Sequence, residues 1–161
     1  MANNIIGNKK ALSPVIATVI LVSVTIVVAV AVAYWMGGIA GLYTRFEKIE
    51  ITSAYAVKDT SSPYNYTVTV ALKNSGSQDA SIIYVLVNGK PSDQYSGSIT
   101  VAWTTDGGSG SLPQNSMSIP VGKSGTITLE IDPGLYQAGT TLDLQFHSAA
   151  GKNYPQMLSL P

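Results

Sequence analysis

The sequence has no cysteine and only one histidine, His147, among its 161 residues. Without cysteine the chain can form neither a disulfide framework nor a thiolate metal site. A lone histidine does not make a zinc ligand set, and no G-x-S-x-G motif marks a nucleophilic serine. We therefore expect no catalytic residue, no metal and no cofactor, and we interpret His147 as a structural or surface residue.

Charged side chains are also scarce, at 11% of the sequence, and the formal net charge is zero. Residues 51–161 carry five lysines and seven acidic residues. Nucleic-acid-binding domains usually present a basic face, so this composition argues against nucleic acid as a partner. Residues 106–109 lack the spaced acidic side chains of a calcium-binding loop, and we expect a mobile loop there.

What the sequence does have is a long apolar run. No charged side chain lies between Lys10 and Arg45, and nearly every residue in 12–36 is Val, Ile, Ala or Leu. A helix needs about 20 apolar residues to cross a bilayer, so the run predicts a membrane helix. It is too long for the apolar part of a secretory signal, which has roughly 7–15 residues. The lysines before it predict a cytoplasmic N-terminus, with the rest of the chain outside.

Local chemistry predicts where this helix begins and how it ends. Ser13 is a favourable N-cap, and Pro14 suits the next position, where its missing N–H costs nothing. Gly37, Gly38 and Gly41 predict either a kink or melted turn or close packing with another helix through small residues. A helix of about 35 residues spans roughly 50 Å, which is longer than the membrane needs.

The remainder of the chain has the pattern of β-structure. Segments rich in β-branched and aromatic residues predict strands at 49–52, 66–72, 81–87, 99–103, 126–131 and 141–146. Clusters of Gly, Asn, Ser and Pro separate them, as is typical of a sandwich or barrel. The predicted fold class is α+β, with one long N-terminal hydrophobic helix followed by an all-β head.

The junction Lys10-Ala11-Leu12-Ser13-Pro14-Val15-Ile16 resembles the class III signal peptide and helix start of archaeal type IV pilin-like proteins, the pilin and archaellin superfamily. In that family a prepilin peptidase cuts after the small residue that follows the basic one. The resemblance implies a processing site at Lys10, Ala11 and Leu12, with the cut between the last two. Ile16 stands at the fifth position after the cut, where bacterial pilins typically carry Glu, and this favours the archaeal branch.

The resemblance also implies a domain organisation and a function. Residues 1–11 would be the signal peptide, 12–48 the membrane and filament-core helix, and 49–161 an extracellular immunoglobulin-like sandwich. The protein would be the structural subunit of an adhesive, archaeal type IV pilus-like surface filament, a helical homopolymer assembled by packing of the N-terminal helices. Its partners would be other copies of itself, the prepilin peptidase and the pilus assembly machinery. It would lie in the membrane as a precursor and in an extracellular filament afterwards.

Two other functions fit the same pattern. A single-pass membrane-anchored β-domain that binds a surface partner or carbohydrate also needs a basic flank, an apolar helix and an extracellular head. An archaellin of a motility filament is the other, although the Ser-Pro start favours a pilus. Asn65, in the only N-x-[ST] sequon, is a candidate for glycosylation. The tyrosines and Trp103 of the head suit contacts with neighbours or carbohydrate.

Overall fold

The computed structural model describes residues 9–59 and 66–161, with side chains described from Pro14 onwards. It divides into two units, Met1–Thr44 and Arg45–Pro161. The first contains helix α1, Lys9–Tyr43, and the second contains the β head. A long apolar helix followed by two antiparallel sheets confirms the predicted α+β class.

Helix α1 starts earlier than the sequence predicts. It begins at Lys9 and includes Pro14, whereas the start was expected at Ser13 and Pro14. Pro14 has no N–H to donate to the carbonyl of Lys10, four residues earlier. The helix nevertheless extends toward the N-terminus, because the Lys, Ala and Leu residues there have high helix propensity.

Helix α1 is also unbroken toward its C-terminal end. It continues through Gly37, Gly38 and Gly41, so the predicted melted turn is wrong. A Cβ at any of the three glycines would meet nothing within 4 Å. The alternative explanation of these glycines, close packing against another helix, stays a prediction.

In the described part of the head, ten strands form two antiparallel sheets. One sheet contains β1 (Ile49–Lys58), β2 (Tyr66–Asn74), β5 (Ile99–Thr105), β6 (Gly108–Ser111) and β8 (Ser124–Ile131), in the order β1-β2-β8-β5-β6. The other contains β3 (Ala80–Val87), β4 (Lys90–Pro91), β9 (Thr141–Ser148) and β10 (Asn153–Ser159), in the order β10-β9-β3-β4. Strand β7 (Met117–Ile119) pairs with β3, and a 3-10 helix, Ser92–Tyr95, follows β4.

All six predicted strands are confirmed, as parts of β1, β2, β3, β5, β8 and β9. The mobile loop expected at residues 106–109 is wrong, because Gly108–Ser111 forms β6 and pairs with β5. Thr105 closes the turn between these strands. Its Oγ1 accepts a hydrogen bond from Gly107 N and donates one to Gly108 O, both at 3.3 Å.

Alternating side chains of the two sheets form the core of the head. Its most deeply buried members include Tyr66, Val68, Val70 and Leu72 of β2 and Leu142, Leu144 and Phe146 of β9. Removing each large side chain from water contributes about 1.5–3 kcal/mol. Every member of this buried cluster belongs to the Arg45–Pro161 unit, so head residues alone build the core.

Candidate functional site: an apolar helix and the neck that follows it

Helix α1 is apolar on all of its faces. Within Pro14–Tyr43, the most apolar stretch of 18 residues has a mean hydropathy of 3.0, and the whole segment contains no charged residue. Apolar side chains are spread evenly around the helix axis. They are open to the surroundings in a single chain, with Leu21 68% and Val27 67% exposed. By length and composition, this helix can cross a membrane.

The hydroxyl groups of Thr18, Ser23 and Thr25, in the middle of α1, are hydrogen-bonded within the helix itself. Thr18 Oγ1 donates to Val15 O at 2.8 Å, Ser23 Oγ to Val19 O at 2.7 Å, and Thr25 Oγ1 to Leu21 O at 2.7 Å. Such bonds to carbonyls three or four residues earlier remove the need for an external acceptor. The middle of the helix therefore requires only apolar surroundings.

The helix is longer than a bilayer requires. Residues 14–33 are enough, at about 1.5 Å each, to cross a hydrocarbon core of about 30 Å. Tyr34 and Trp35 follow directly, and such residues are enriched at membrane–water interfaces. The apolar turns after Trp35, as far as Tyr43, extend beyond the length that an untilted helix needs to cross the hydrocarbon.

Residues 46–48, which we call the neck, belong to the β unit. Helix α1 ends at Tyr43, before residue 48, at which the sequence analysis placed the boundary between helix and head. Phe46 N donates to Ser77 Oγ at 3.0 Å, and Phe46 O accepts from Ser77 N at 2.9 Å. Ser75 N donates to Lys48 O at 2.9 Å. The backbone of the neck is thus hydrogen-bonded along the loop between β2 and β3.

Asn74, the last residue of β2, and Gly76 of that loop determine how closely the neck can approach. A Cβ at Gly76 would lie 2.6 Å from both Lys48 N and Phe46 O, so no side chain fits there. Asn74 is fully buried, and its Nδ2 donates to two backbone carbonyls while its Oδ1 accepts from Gly76 N at 2.9 Å. Asn74 therefore fixes the surface on which the neck lies.

Glu47 attaches the neck to the second sheet. Its side chain is buried, with the residue only 8% exposed, and Oε1 accepts a hydrogen bond from Tyr154 OH at 3.0 Å. The carbonyl of Glu47 accepts from Lys152 Nζ at 2.6 Å. Burial, and then the hydrogen bond to Glu47, raises the pKa of Tyr154 to about 12. Tyr154 therefore remains a protonated donor at neutral pH.

The predicted processing residues lie within α1. The backbone of Lys10, Ala11 and Leu12 is helical, and their side chains are outside the described part. Asn65, the glycosylation candidate, falls in the segment 60–65, which is also outside the described residues. Both assignments stay predictions.

His147 lies on β9, where its ring stacks on Tyr84 with the ring centroids 4.5 Å apart. Its Nδ1 is hydrogen-bonded to Asn153 Oδ1. Within residues 9–59 and 66–161, no group of three His, Asp or Glu side chains is placed to hold a metal ion. The contacts of His147 are those of a side chain that packs between strands.

No protein-family model matches the sequence, and no curated protein matches it. Among solved structures, the archaeal flagellum of Methanospirillum hungatei matches at 15% identity and a TM-score of 0.46, over 96% of this chain and 93% of that one. The archaellum periplasmic stator protein FlaG from Sulfolobus acidocaldarius matches at 17% identity and a TM-score of 0.40, over 70% of this chain and 100% of that one. The Iho670 flagellar-like filament matches at 12% identity and a TM-score of 0.37, over 91% of this chain and 98% of that one. Because these TM-scores are all below 0.5, we base the function on the residues of this chain.

Proposed function

We propose that this protein is the structural subunit of an archaeal type IV pilus-like surface filament with a core of packed α1 helices. The observation that carries the proposal is the exposure of an apolar helix on every face. Burying one large aliphatic side chain contributes about 1.5–3 kcal/mol, so keeping all of α1 in water would cost several tens of kcal/mol. That exceeds the stability of a whole domain, about 5–15 kcal/mol.

Two surroundings can cover such a helix in succession. Lipid covers it before assembly, and the α1 helices of neighbouring copies cover it outside the membrane. A contact that joins one copy to the next without closing a ring generates a helical filament. The length of α1 beyond the bilayer supports this proposal, and Gly37, Gly38 and Gly41 would allow neighbouring helices to approach closely.

We also propose that a prepilin peptidase removes residues 1–11 before assembly. The basic residues of this segment favour the cytoplasmic face, so their removal would release the end of the helix. After a cut between Ala11 and Leu12, Pro14 would be the third residue of the mature chain. The first turn of a helix has N–H groups without intrahelical acceptors, so Pro14 would interrupt no hydrogen bond there.

The head would lie outside the cell and form the outer surface of the filament, with an adhesive role. Its partners would be other copies of the chain, the peptidase and the assembly machinery. Asn65, in its sequon, would be a candidate for glycosylation there. The neck is part of the head in this arrangement, because its hydrogen bonds are to the loop between β2 and β3 and to Tyr154 of β10.

Electron microscopy of detergent-free cell-surface preparations tests the proposal. We expect fibres that bind an antibody raised against the head, and strains without the gene should lack them. Protein that stays monomeric in the membrane fraction, with no fibres at any expression level, would identify a membrane-anchored β-domain. Fibres whose loss abolishes swimming would identify an archaellin.

A further inference from the structure

We propose that the head binds a neutral saccharide in a cleft beside Trp103. This inference deepens the adhesive role proposed above, and it rests on the head being outside the cell. The cleft has a volume of about 390 Å³ and lies where β5 ends, β7 passes and β8 begins. Ligand sites commonly have volumes of about 300–1,000 Å³, so the cleft is large enough for a small ligand.

Trp103 has a fixed orientation without any ligand. Its Nε1 donates a hydrogen bond of 2.8 Å to Asn115 O. The indole also lies against Gly110, its partner in the β5–β6 register, where a Cβ would be only 2.8 Å from Trp103 Cζ2. The ring packs against the core on one part of its surface and lines the cleft with another. Because the ring is already ordered, binding costs little conformational entropy there.

Both hydrogen-bond donors and hydrogen-bond acceptors line the cleft beside the ring. Asp106 Oδ2 and Lys123 Nζ are 3.4 Å apart, and both side chains are mostly exposed, so an acceptor and a donor stand side by side. Ser116, Ser118 and Ser124 also line the cleft. Their hydroxyl groups make no side-chain hydrogen bond in the part of the chain that the structure describes, which leaves them able to donate or accept.

A pyranose ring matches this arrangement in its chemistry. Its C–H groups form an apolar face that can lie against an indole, and its hydroxyl groups both donate and accept around the rim. Binding sites typically combine such an apolar surface with a few polar groups that fix the orientation of the ligand. Asp106 and Lys123 neutralise each other, so the cleft offers no net charge to attract an ionic ligand. A neutral saccharide therefore fits better than a nucleotide, a phosphate or a metal ion.

Ligand-observed saturation-transfer NMR on the full chain in detergent micelles tests the site. The probes are neutral oligosaccharides built from glucose, mannose, galactose and N-acetylglucosamine. We expect saturation transfer from the protein to at least one of them. Affinity should be the same at low and high salt, because the binding of an uncharged ligand is not screened.

Two variants should weaken this binding by about tenfold or more, which corresponds to about 1.4 kcal/mol. Trp103→Ala removes the ring, and Ser118→Arg fills the cleft from an exposed position without touching the core. Ser53→Arg, at an exposed position of β1, is the matched control and should bind like the wild type. A Trp35→Phe background leaves Trp103 as the only tryptophan, so its fluorescence should change in a saturable manner on titration.

The proposal is overturned if no probe shows saturation transfer to the wild-type protein. It is also overturned if Ser118→Arg binds the saccharide as well as Ser53→Arg does. This comparison does not involve Trp103→Ala, so it remains valid even if that variant does not fold. Either result would leave filament formation untouched, since fibres are scored separately by microscopy. Absence of fibres with intact saccharide binding would instead contradict the proposed function alone.

Discussion

At the scale of single residues, Asn74 and Gly76 determine where the neck can lie. Asn74 satisfies backbone groups that would otherwise be buried without partners, and Gly76 leaves the space that the neck backbone occupies. The sequence predicts only a turn at this point, because Asn, Ser and Gly are ordinary turn residues. Their second role depends on the neck, which is distant in sequence, and no local pattern encodes it.

Replacing Gly76 by alanine should destabilise the head. The added Cβ would lie 2.6 Å from Lys48 N and Phe46 O, so the neck backbone must move. We expect a loss of about 1–3 kcal/mol in the free energy of unfolding, as for other overpacked sites, measured by chemical denaturation. Gly107→Ala is the control, since the nearest atom to its Cβ would be 3.9 Å away. Equal stability of the two variants would show that the neck is not held against this loop.

Tyr154 should make the head sensitive to alkaline pH. Folding raises its pKa to about 12 through burial and the hydrogen bond to Glu47, whereas an ordinary tyrosine has a pKa of about 10. A group whose pKa is raised by folding contributes its full stability below the unfolded value, and that contribution is lost as the pH rises through the folded value. The free energy of unfolding should therefore fall between about pH 10 and pH 12.

Tyr154→Phe should make this alkaline decline smaller. At neutral pH it should lower the free energy of unfolding by about 1–2 kcal/mol, because the hydrogen bond to Glu47 is lost. Tyr55→Phe, at a residue that is 53% exposed, is the matched control and should keep the wild-type profile. Burial and the hydrogen bond with Tyr136 raise the pKa of Tyr95 to about 12, so Tyr95 should account for part of the remaining decline in stability. An unchanged pH profile in Tyr154→Phe would exclude Tyr154 as a source of the effect.

At the scale of elements, the sequence predicts those whose pattern is local. The strands β2, β8 and β9 alternate apolar and polar residues, and α1 is a continuous apolar run, so each can be recognised alone. Strand β6 consists of glycine and serine, which have low strand propensity, and it is extended because it pairs with β5. Strand β10 contains Pro155, which a strand tolerates at the edge of a sheet.

The candidate sites divide in the same way, into those with a local sequence pattern and those that depend on residues distant in sequence. Hydropathy alone predicts α1, whereas the partners of Glu47, Lys152 and Tyr154, are more than 100 positions away in the sequence. Trp103 was recognised from sequence only as one of many aromatic residues of the head. The orientation of its indole depends on Gly110 of β6 and on Asn115, which follows β6, and this strand could not be predicted.

A charge in the middle of α1 should stop polymerisation. Val27→Asp costs about 2.5–3.5 kcal/mol on membrane-insertion scales, and the long apolar flanks should still bring part of the protein into the membrane. In a filament core every copy would bring its own unpaired carboxylate into apolar surroundings, so the cost recurs with each subunit. We expect protein in the membrane fraction and no fibres by electron microscopy.

Val27→Ile is the matched control, because it keeps the site apolar and should form normal fibres. Membrane fractions and surface preparations of the two variants should be compared at equal expression. Normal fibres from Val27→Asp would mean that α1 does not form the filament core. The proposed function would then lose its physical support.

At the scale of the whole molecule, maturation should separate the membrane form from the assembled form. The mature chain should begin at Leu12, because a basic and a small residue precede the apolar helix at that point. Intact mass and N-terminal sequencing of protein from fibres should show the loss of residues 1–11. Protein from the membrane fraction of a peptidase-deficient strain should keep them.

The variant Lys10→Glu should block this cut and leave the full-length precursor in the membrane, without fibres. Lys9→Glu is the matched control, because it makes the same charge change one position further from the cut and leaves Lys10 in place. We expect Lys9→Glu to be processed and to assemble. Fibres built from chains that retain residues 1–11 would contradict the processing proposal, yet they would still support α1 as the core. In that case Pro14 would remain inside the helix, and the basic segment would have to leave the membrane with every subunit.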